Sequence, residues 1–139
     1  LPPREIEGPV AAKVVKVRDG DTVEVEAYIW PLQTVTVAVR LRGVDAPELK
    51  GECESEKAAA REARERLASL VADGNVTLRR ISGDKYFGRV LADLGTSSEP
   101  DIGARLLREG LVDAYDGGRR RNWCAAIGSL KGIAPFDRG

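Results

Sequence analysis

Histidine is absent from this chain of 139 residues, and cysteine occurs only twice. Without an imidazole, the chain cannot form a Ser-His or Cys-His nucleophilic pair, and it cannot bind zinc through histidine. Two cysteines alone cannot supply the four ligands of a closed structural zinc site. Any enzymatic chemistry must therefore use carboxylates, Arg, Lys, Tyr, or a hard metal ion that is bound through oxygen.

Long apolar runs and an excess of charge of either sign are also missing. No apolar run approaches the roughly 20 residues that span a bilayer, so we expect no membrane partner. The formal net charge is zero, so nucleic acid would have to bind at a local basic patch. The length suits one domain, which we expect to be a monomer, and 42% hydrophobic with 32% charged residues is typical of a globular protein.

Methionine is absent too. We therefore expect that an upstream segment was removed, either a signal peptide or an expression tag. The Pro-rich residues 1–9 are predicted to form a flexible N-terminal arm. Residues 10–139 are predicted to form a single domain, with a Gly-rich tail that is less regular from about residue 117.

Alternating apolar and polar residues predict five short strands. Their ranges are 10–18, 23–27, 35–41, 75–81 and 89–95, of which the first three form a meander. The segment YIWPLQ, residues 28–33, is predicted to be a loop, because Pro31 interrupts strand pairing. In this loop we expect Trp30 to pack against the domain.

A helical period replaces the alternation over residues 55–73, with Gly74 as its stop. A second helix is predicted over residues 98–110, with Ser98 as its cap and Pro100 in its first turn. Five strands with a helix between the third and fourth follow the order of an OB-fold. The predicted class is mainly β with helices (α+β), a five-stranded OB-fold Greek-key barrel with two to three helices.

Acidic residues cluster where these strands end. DGD, residues 19–21, joins the first two strands, and VDAPE, residues 44–48, follows the third. Because neighbouring strands lie about 5 Å apart, Asp21 and Asp45 can converge, and a hard cation such as Ca²⁺ would relieve their repulsion. Taken alone, each motif is better explained as an ordinary turn, in which Asp and Gly are favoured for local reasons.

Two arginines and a glutamate favour a functional site over ordinary turns. Arg40 lies on the third strand and faces away from its apolar row, and Arg89 follows the Gly turn of DKYFGR. Surface ion pairs of little energetic value would also explain these arginines. With a cation, however, they supply what phosphodiester cleavage requires, because guanidinium groups hold the added negative charge and Glu48 can take a proton from water.

The chain resembles the staphylococcal nuclease-like (thermonuclease) family. The resemblance is carried, in order, by VVKVRDGDTVEV, VRLRGVDAPE, the first helix, DKYFGRVLADL and LLREGL, over roughly residues 12 to 115. It implies an OB-type barrel with added helices. It also implies hydrolysis of DNA or RNA at the bond to the 5′ oxygen, which leaves 3′-phosphate ends.

The resemblance further implies a Ca²⁺ site and a set of catalytic groups. The implied ligands are the side-chain carboxylates of Asp21 and Asp45 and the backbone carbonyl of Ala46. Asp19 would lie next to these ligands without touching the ion. Ala46 stands where the family leads us to expect Thr, and it keeps the carbonyl but lacks the hydroxyl. Glu48 would act as general base or orient the water, and Arg40 and Arg89 would clamp the phosphate.

A nucleotide pocket is also implied, although less directly. Its candidate residues are Lys85, Tyr86 and Tyr115. An additional aromatic residue, Phe87, follows Lys85 and Tyr86 in the loop before Arg89. A plain surface role is an equal alternative for each of the three candidates.

Cys53 and Cys124 are predicted to form a disulfide, because an even pair of cysteines in a secreted protein favours a bridge. Closing a loop of roughly 70 residues would stabilise the fold by about 4 kcal/mol in the chain-entropy model. Two buried free thiols are the alternative. A paired cysteine and a missing initiator together lead us to expect a secreted or periplasmic bacterial protein.

The tail holds three consecutive arginines, Arg119–Arg121, followed by Trp123. A basic run beside an aromatic residue can bind a nucleic-acid backbone and stack a base. We prefer a solvated turn that Trp123 anchors to the domain.

Two functions are compatible with the sequence. The first is a Ca²⁺-dependent nuclease that acts on DNA, RNA or both. The second is a catalytically silent nuclease-like module that binds single-stranded nucleic acid or a protein partner. The acids and arginines of the predicted site are all present, and this favours the enzyme.

Overall fold

The described residues include eight strands and two helices. The computed structural model describes residues 4–86, 88–116 and 122–124. In chain order the elements are β1 (Glu5–Ile6), β2 (Val10–Asp19), β3 (Thr22–Trp30), β4 (Gln33–Leu41), β5 (Val44–Asp45), α1 (Glu54–Leu70), β6 (Asn75–Gly83), β7 (Arg89–Gly95), α2 (Ile102–Arg108) and β8 (Asp113–Ala114). Within these residues, no helix is both long and apolar enough to cross a membrane.

Five of these strands close into a barrel. The strands β2, β3 and β4 form the predicted antiparallel meander, and β6 pairs with the other edge of β2. Strand β7 pairs in parallel with β4 and antiparallel with β6, which closes the sheet. With α1 between the third and fourth barrel strands, the predicted OB-type barrel is confirmed.

The barrel interior is filled by the inward faces of alternating strands. In β3, Val23, Val25 and Ala27 are buried, whereas Glu24 and Glu26 between them reach solvent. The large side chains that are almost fully buried include those of Leu41, Leu67, Leu78, Leu94, Ile102 and Leu106. Burying each of them stabilises the fold by roughly 1.5–3 kcal/mol.

The helices differ from their predicted bounds at their ends. Helix α1 starts after Cys53, whose Sγ accepts a hydrogen bond from the backbone N–H of Glu56 at 3.4 Å. Helix α2 starts later than predicted, because Asp101 and not Ser98 is its cap. The Asp101 carboxylate accepts a hydrogen bond from the N–H of Ala104 at 3.0 Å, while Ser98 lies in a turn that precedes the helix.

The β3–β4 connection is shorter than predicted, because both strands extend further into the hairpin. Strand β3 continues through Tyr28 to Trp30, and the turn is confined to Pro31 and Leu32. The prediction of a loop over residues 28–33 is therefore wrong, because Pro31 falls in the turn itself, where no ladder hydrogen bond is lost. The predicted packing of Trp30 is also wrong, since this residue is 71% exposed at the hairpin tip.

The two ends of the chain have different relations to the barrel. Within the predicted N-terminal arm, Glu5 and Ile6 pair with Ser82 and Ile81 at the edge of β6. Near the other end, Trp123 is buried. The arginine run at residues 119–121 lies outside the described residues, and so does the rest of the tail after residue 124.

Candidate active site

A cleft of about 730 Å³ opens at the end of the barrel where β3 begins and β4 ends. All nine residues that the sequence assigned to a metal, catalytic or nucleotide role line this cleft: Asp21, Arg40, Asp45, Ala46, Glu48, Lys85, Tyr86, Arg89 and Tyr115. Asp19 lines it as well. The fold thus brings together side chains from segments that are distant along the chain.

The convergence of Asp21 and Asp45 follows from the pairing of β3 with β4. The carbonyl of Asp21 accepts a hydrogen bond from the N–H of Leu41 at 2.8 Å, which places the end of β4 beside the β2–β3 turn. The Asp21 Oδ2 atom accepts a second bond, from the N–H of Ala46, at 2.9 Å. Both carboxylates are buried, with exposed fractions of 7% for Asp21 and 5% for Asp45.

Gly20 permits this close approach. A Cβ atom at Gly20 would lie 2.6 Å from the Cβ of Ala63 and 3.0 Å from that of Ala46. Any larger residue would therefore push the β2–β3 turn away from α1 and from the segment that follows Asp45. The glycine of the DGD motif is thus required by packing against Ala63 and Ala46.

Arg40 lies between the two buried acids. Its Nη2 atom is 3.5 Å from Asp21 Oδ2 and 3.2 Å from Asp45 Oδ1. Its Nη1 atom donates to the carbonyl of Val44 at 2.9 Å. The guanidinium charge offsets the repulsion between the carboxylates and shows that both can bind one positive group.

Asp19 adds a further carboxyl group to the β2–β3 turn. Its Oδ1 atom accepts a hydrogen bond from the backbone N–H of Asp21 at 3.1 Å. Burial raises the pKa of Asp19 to about 7, and the hydrogen bond to the Asp21 side chain and the charge of that neighbour add to the rise. The smaller part of the rise that comes from the Asp21 charge is the part that a cation beside Asp21 would relieve.

The residues present fit a hard divalent cation in part. In the part of the chain that the structure describes, no three His, Cys, Asp or Glu side chains are grouped as a metal site. The protein can offer the carboxylates of Asp21 and Asp45 and the carbonyl of Ala46, all oxygen donors, and water would have to complete the shell. Such a mixed shell suits Ca²⁺, which accepts carboxylates, carbonyls and water in a flexible geometry.

The second predicted arginine lies on the other wall of the cleft. Arg89 donates through Nε to Asp84, and its guanidinium carbon lies 4.4 Å from the ring centre of Tyr86. Burial disfavours the charged form of Asp84, but hydrogen bonds from Arg89 and from the N–H of Lys85 outweigh this effect and lower its pKa. The Lys85 ammonium lies 5.3 Å from the same Tyr86 ring.

Tyr115 lines the cleft beside Arg40. Its ring centre lies 5.7 Å from the guanidinium carbon of Arg40. Its backbone N–H donates to the carbonyl of Gly43 at 2.8 Å, next to the short β5–β8 pair. Aromatic rings therefore stand beside both predicted arginines, which limits the directions in which the guanidinium groups can turn.

The predicted base is positioned by a buried residue of α1. The side chain of Glu48 is exposed, and its backbone N–H donates to Glu56 Oε2 at 3.1 Å. The other oxygen of Glu56 accepts from the N–H of Glu52 at 3.3 Å. Cys53, which precedes α1, is joined to Cys124 by a disulfide with an S–S distance of 2.08 Å.

Sequence reasoning missed several residues of the site. Arg42, Asp84 and Asp116 also line the cleft, and Glu56 holds the backbone of Glu48 and Glu52 by hydrogen bonds. The strand pattern placed Arg42 on the same face as Arg40, but no role in the site was assigned to it. Asp84 opens the DKYFGR motif five residues before Arg89, whereas Glu56 could not be told from the other acids of a helix.

Residues 38–124 match the family described as staphylococcal nuclease homologue. The chain belongs to this family. The match begins in β4, so it includes Arg40, Asp45, Glu48 and Arg89 but not Asp21. The tertiary structure joins Asp21 to this part of the site.

Relatives named as endonucleases support the same family. An "Uncharacterized endonuclease" of Escherichia coli is 30% identical over 107 residues, which are 77% of this chain and 62% of the relative. The "Probable endonuclease LCL3" of Leptosphaeria maculans is 30% identical over 90 residues, 63% of this chain and 30% of the relative. "Endonuclease Htp3" of Saprolegnia parasitica is 29% identical over 123 residues, 80% of this chain and 58% of the relative. The chain thus spans less than two thirds of each of these relatives.

Proposed function

We propose that this family member is a metal-dependent nuclease that hydrolyses phosphodiester bonds of DNA, RNA or both, with Ca²⁺ as its metal. One observation carries the proposal. Two buried carboxylates, Asp21 and Asp45, meet at a single guanidinium nitrogen in a cleft that also holds Arg89 and the exposed Glu48. The endonuclease names of the relatives support the same class of activity.

The charges of the cleft argue for a bound cation. Six carboxyl groups and four cationic side chains line it, which leaves an excess of negative charge around a site that would receive a polyanion. Such a cleft repels nucleic acid. A divalent cation would cancel the excess, so metal and substrate are expected to bind together.

The metal would be held by Asp21, Asp45 and the carbonyl of Ala46. When bound there, it would supply Lewis-acid polarisation of the phosphate. With a cation compensating the two carboxylates, Arg40 would be able to donate to phosphate oxygens instead. Arg40 and Arg89 would then hold the negative charge that develops as water attacks phosphorus.

Glu48 is proposed as the general base. Its side chain is exposed and lines the cleft, so water can reach the carboxylate. The Glu56 carboxylate fixes its backbone, which limits the positions that the Glu48 side chain can take. In keeping with the family resemblance, we propose cleavage at the bond to the 5′ oxygen, with a 3′-phosphate as product.

The pocket residues are proposed to contact the nucleotide. Tyr86 and Tyr115 present rings on which a base or sugar can pack, and Lys85 adds a positive charge at the rim. These contacts would orient the strand in the cleft and would contribute to KM more than to kcat.

A nicking assay tests the proposed activity. Supercoiled plasmid and a labelled RNA are incubated with the protein in Ca²⁺, and in parallel with EDTA. We expect nicking in Ca²⁺ and none in EDTA, with restoration when Ca²⁺ is returned in excess. Binding of single-stranded nucleic acid without cutting under all of these conditions would identify a silent binding module instead.

We further propose that the protein is secreted or periplasmic. The Cys53–Cys124 bridge supports this, because disulfides persist in oxidising compartments and are rare in the cytosol. Mass spectrometry of the folded native protein, alkylated without reduction, should find no modified cysteine. Two alkylated cysteines would contradict both the bridge and the argument for export.

A further inference from the structure

Arg42 lies in the cleft beside Arg40. It follows β4 directly, and its backbone N–H continues the β4–β7 ladder by donating to the carbonyl of Ala92 at 3.0 Å. Residues two apart on an extended strand share a face and are separated by roughly 7 Å along it. Arg42 therefore stands one step along the cleft wall from the arginine that contacts the two buried acids.

One edge of the Arg42 guanidinium is anchored to the barrel. Its Nη2 atom donates to the carbonyl of Arg80 at 2.6 Å and to the hydroxyl of Ser82 at 2.7 Å, and it lies 3.4 Å from the carbonyl of Leu91. Two of these acceptors, on Arg80 and Ser82, lie where the pairing of β6 with β7 is irregular, between Arg79 and Ser82. The guanidinium group is thus held in one orientation.

Among the residues that the structure describes, no carboxylate contacts the Arg42 guanidinium, although the cleft as a whole carries more acids than cations. Arg40 meets Asp21 and Asp45, and Arg89 meets Asp84. Among the described residues, no ion pair involves Arg42, and all its hydrogen-bond acceptors are neutral oxygens donated to by Nη2. Within that part of the chain, its Nε atom is buried without an acceptor.

Hydrogen bonds to neutral oxygens, such as those that Arg42 makes, could also be formed by an uncharged side chain. A partly buried guanidinium without a counterion is unfavourable unless an anion compensates it. The cleft of a nuclease receives a chain of phosphates, and the next phosphate along a strand would arrive one step from the reacting one. The position and charge of Arg42 match that group.

We propose that Arg42 binds the phosphate adjacent to the scissile one and so favours polymeric substrates over substrates with a single phosphodiester. This inference rests on the proposed nuclease function. Arg42 would be a substrate-binding residue whose contribution is independent of base sequence, because phosphate contacts carry no sequence information. It would act on KM and on the salt dependence of binding, and it would leave the chemical step unchanged.

The test compares Arg42→Gln with Arg79→Gln, which removes the same charge from an exposed position on β6 outside the cleft. Binding of a fluorescent single-stranded oligonucleotide is measured by anisotropy in Ca²⁺ over a series of NaCl concentrations, in a Glu48→Gln background that prevents cleavage. We expect Arg42→Gln to weaken binding about tenfold at moderate salt. A plot of the logarithm of the association constant against the logarithm of the NaCl concentration should become shallower by about 0.7. This is the slope expected for one phosphate contact to a single strand. Arg79→Gln should leave the slope unchanged.

A second comparison separates binding from anchoring. With Glu48 intact, KM for an oligonucleotide should rise in Arg42→Gln, while kcat/KM for bis(p-nitrophenyl) phosphate, which has one phosphodiester, should stay the same. Arg42→Lys, which keeps the charge, should retain the wild-type salt slope even if the lost β6 contacts lower its thermal stability.

Four results would overturn or redirect the inference. An unchanged salt slope in Arg42→Gln, or an equal loss on both substrates, would show that Arg42 only anchors β6. Salt-dependent binding that requires Arg42, in a protein that never cuts, would uphold the phosphate contact and reject the nuclease. A wild-type protein that neither binds nor cuts nucleic acid would reject both.

Discussion

The buried carboxylate of Glu56 accepts a hydrogen bond from the backbone N–H of Glu48 at 3.1 Å. Its other oxygen accepts from the N–H of Glu52. The first turn of α1 is thereby hydrogen-bonded to the loop that contains Glu48, the proposed base. The sequence predicted α1 from its apolar period. The structure shows that this helix also positions a residue of the site, because Glu56 binds the backbone of Glu48.

Replacing Glu56 with Gln should loosen this loop. The amide group would turn an acceptor into a donor that faces a backbone N–H, so one hydrogen bond is lost and a buried donor is left unpaired. We expect the free energy of unfolding to fall by about 1–3 kcal/mol in urea denaturation. We expect kcat to fall as well, because Glu48 is less well positioned.

The control for this change is Glu65→Gln, on the exposed face of the same helix. It should alter neither the unfolding free energy nor kcat beyond the small effects of surface substitutions. If Glu56→Gln unfolds like the wild type, the two hydrogen bonds to the loop do not support the site.

Replacing Glu48 with Gln should remove the base while keeping the shape of the side chain. We expect kcat for oligonucleotide hydrolysis to fall by about 10²–10⁴, the usual contribution of a general base. The unfolding midpoint should hardly change, because the side chain is exposed. Glu52→Gln, an exposed neighbour in the same loop, is the matched control and should retain activity. Wild-type turnover in Glu48→Gln would show that another group takes the proton.

Replacing Asp45 with Asn should weaken Ca²⁺ binding. Because the loss of a mere supporting group costs about 10–100-fold in metal affinity, we expect the loss of a direct ligand to raise the Kd by about 100-fold or more. Isothermal titration calorimetry with CaCl₂ measures this without any substrate. Asp93→Asn, which removes an acid that pairs with Arg80 away from the cleft, should leave the Kd unchanged. Equal calcium affinity in Asp45→Asn and the wild type would exclude Asp45 as a ligand.

The ion pairs that Glu109 forms with α1 and α2 should make the stability of the fold depend on pH. Glu109 accepts hydrogen bonds from Arg66 on α1 and Arg105 on α2, which together lower its pKa from 4.5 to about 2. Because the folded pKa lies below the unfolded one, the stabilisation is complete above about pH 4.5 and disappears as the pH falls toward 2.

Glu109→Gln tests this dependence. The variant should have a lower Tm than the wild type at neutral pH, and the two melting curves should converge as the pH falls through the window between the two pKa values. Salt should also reduce the difference, since the cluster is exposed. A Tm difference that is the same at pH 7 and pH 2.5 would mean that the charge of Glu109 does not stabilise the fold.

The sequence by itself determined the barrel strands, the two helices and the chemical character of the site. Alternation in Val23, Val25 and Ala27 reports a strand with one buried face, because side-chain direction on a strand depends only on the local chain. The acids and arginines could likewise be recognised, since their order along the chain resembles that of a known family.

Only the tertiary structure decided which of these groups contact one another. The position of Arg40 between Asp21 and Asp45, the support of Glu48 by Glu56, and the anchoring of Arg42 to β6 all depend on barrel closure. These contacts join residues from separate strands and helices, and no local periodicity encodes their distances. The exposure of Trp30 was decided in the same way, because the length of the β3–β4 hairpin beyond the barrel is set by strand pairing and not by the Pro31 turn alone.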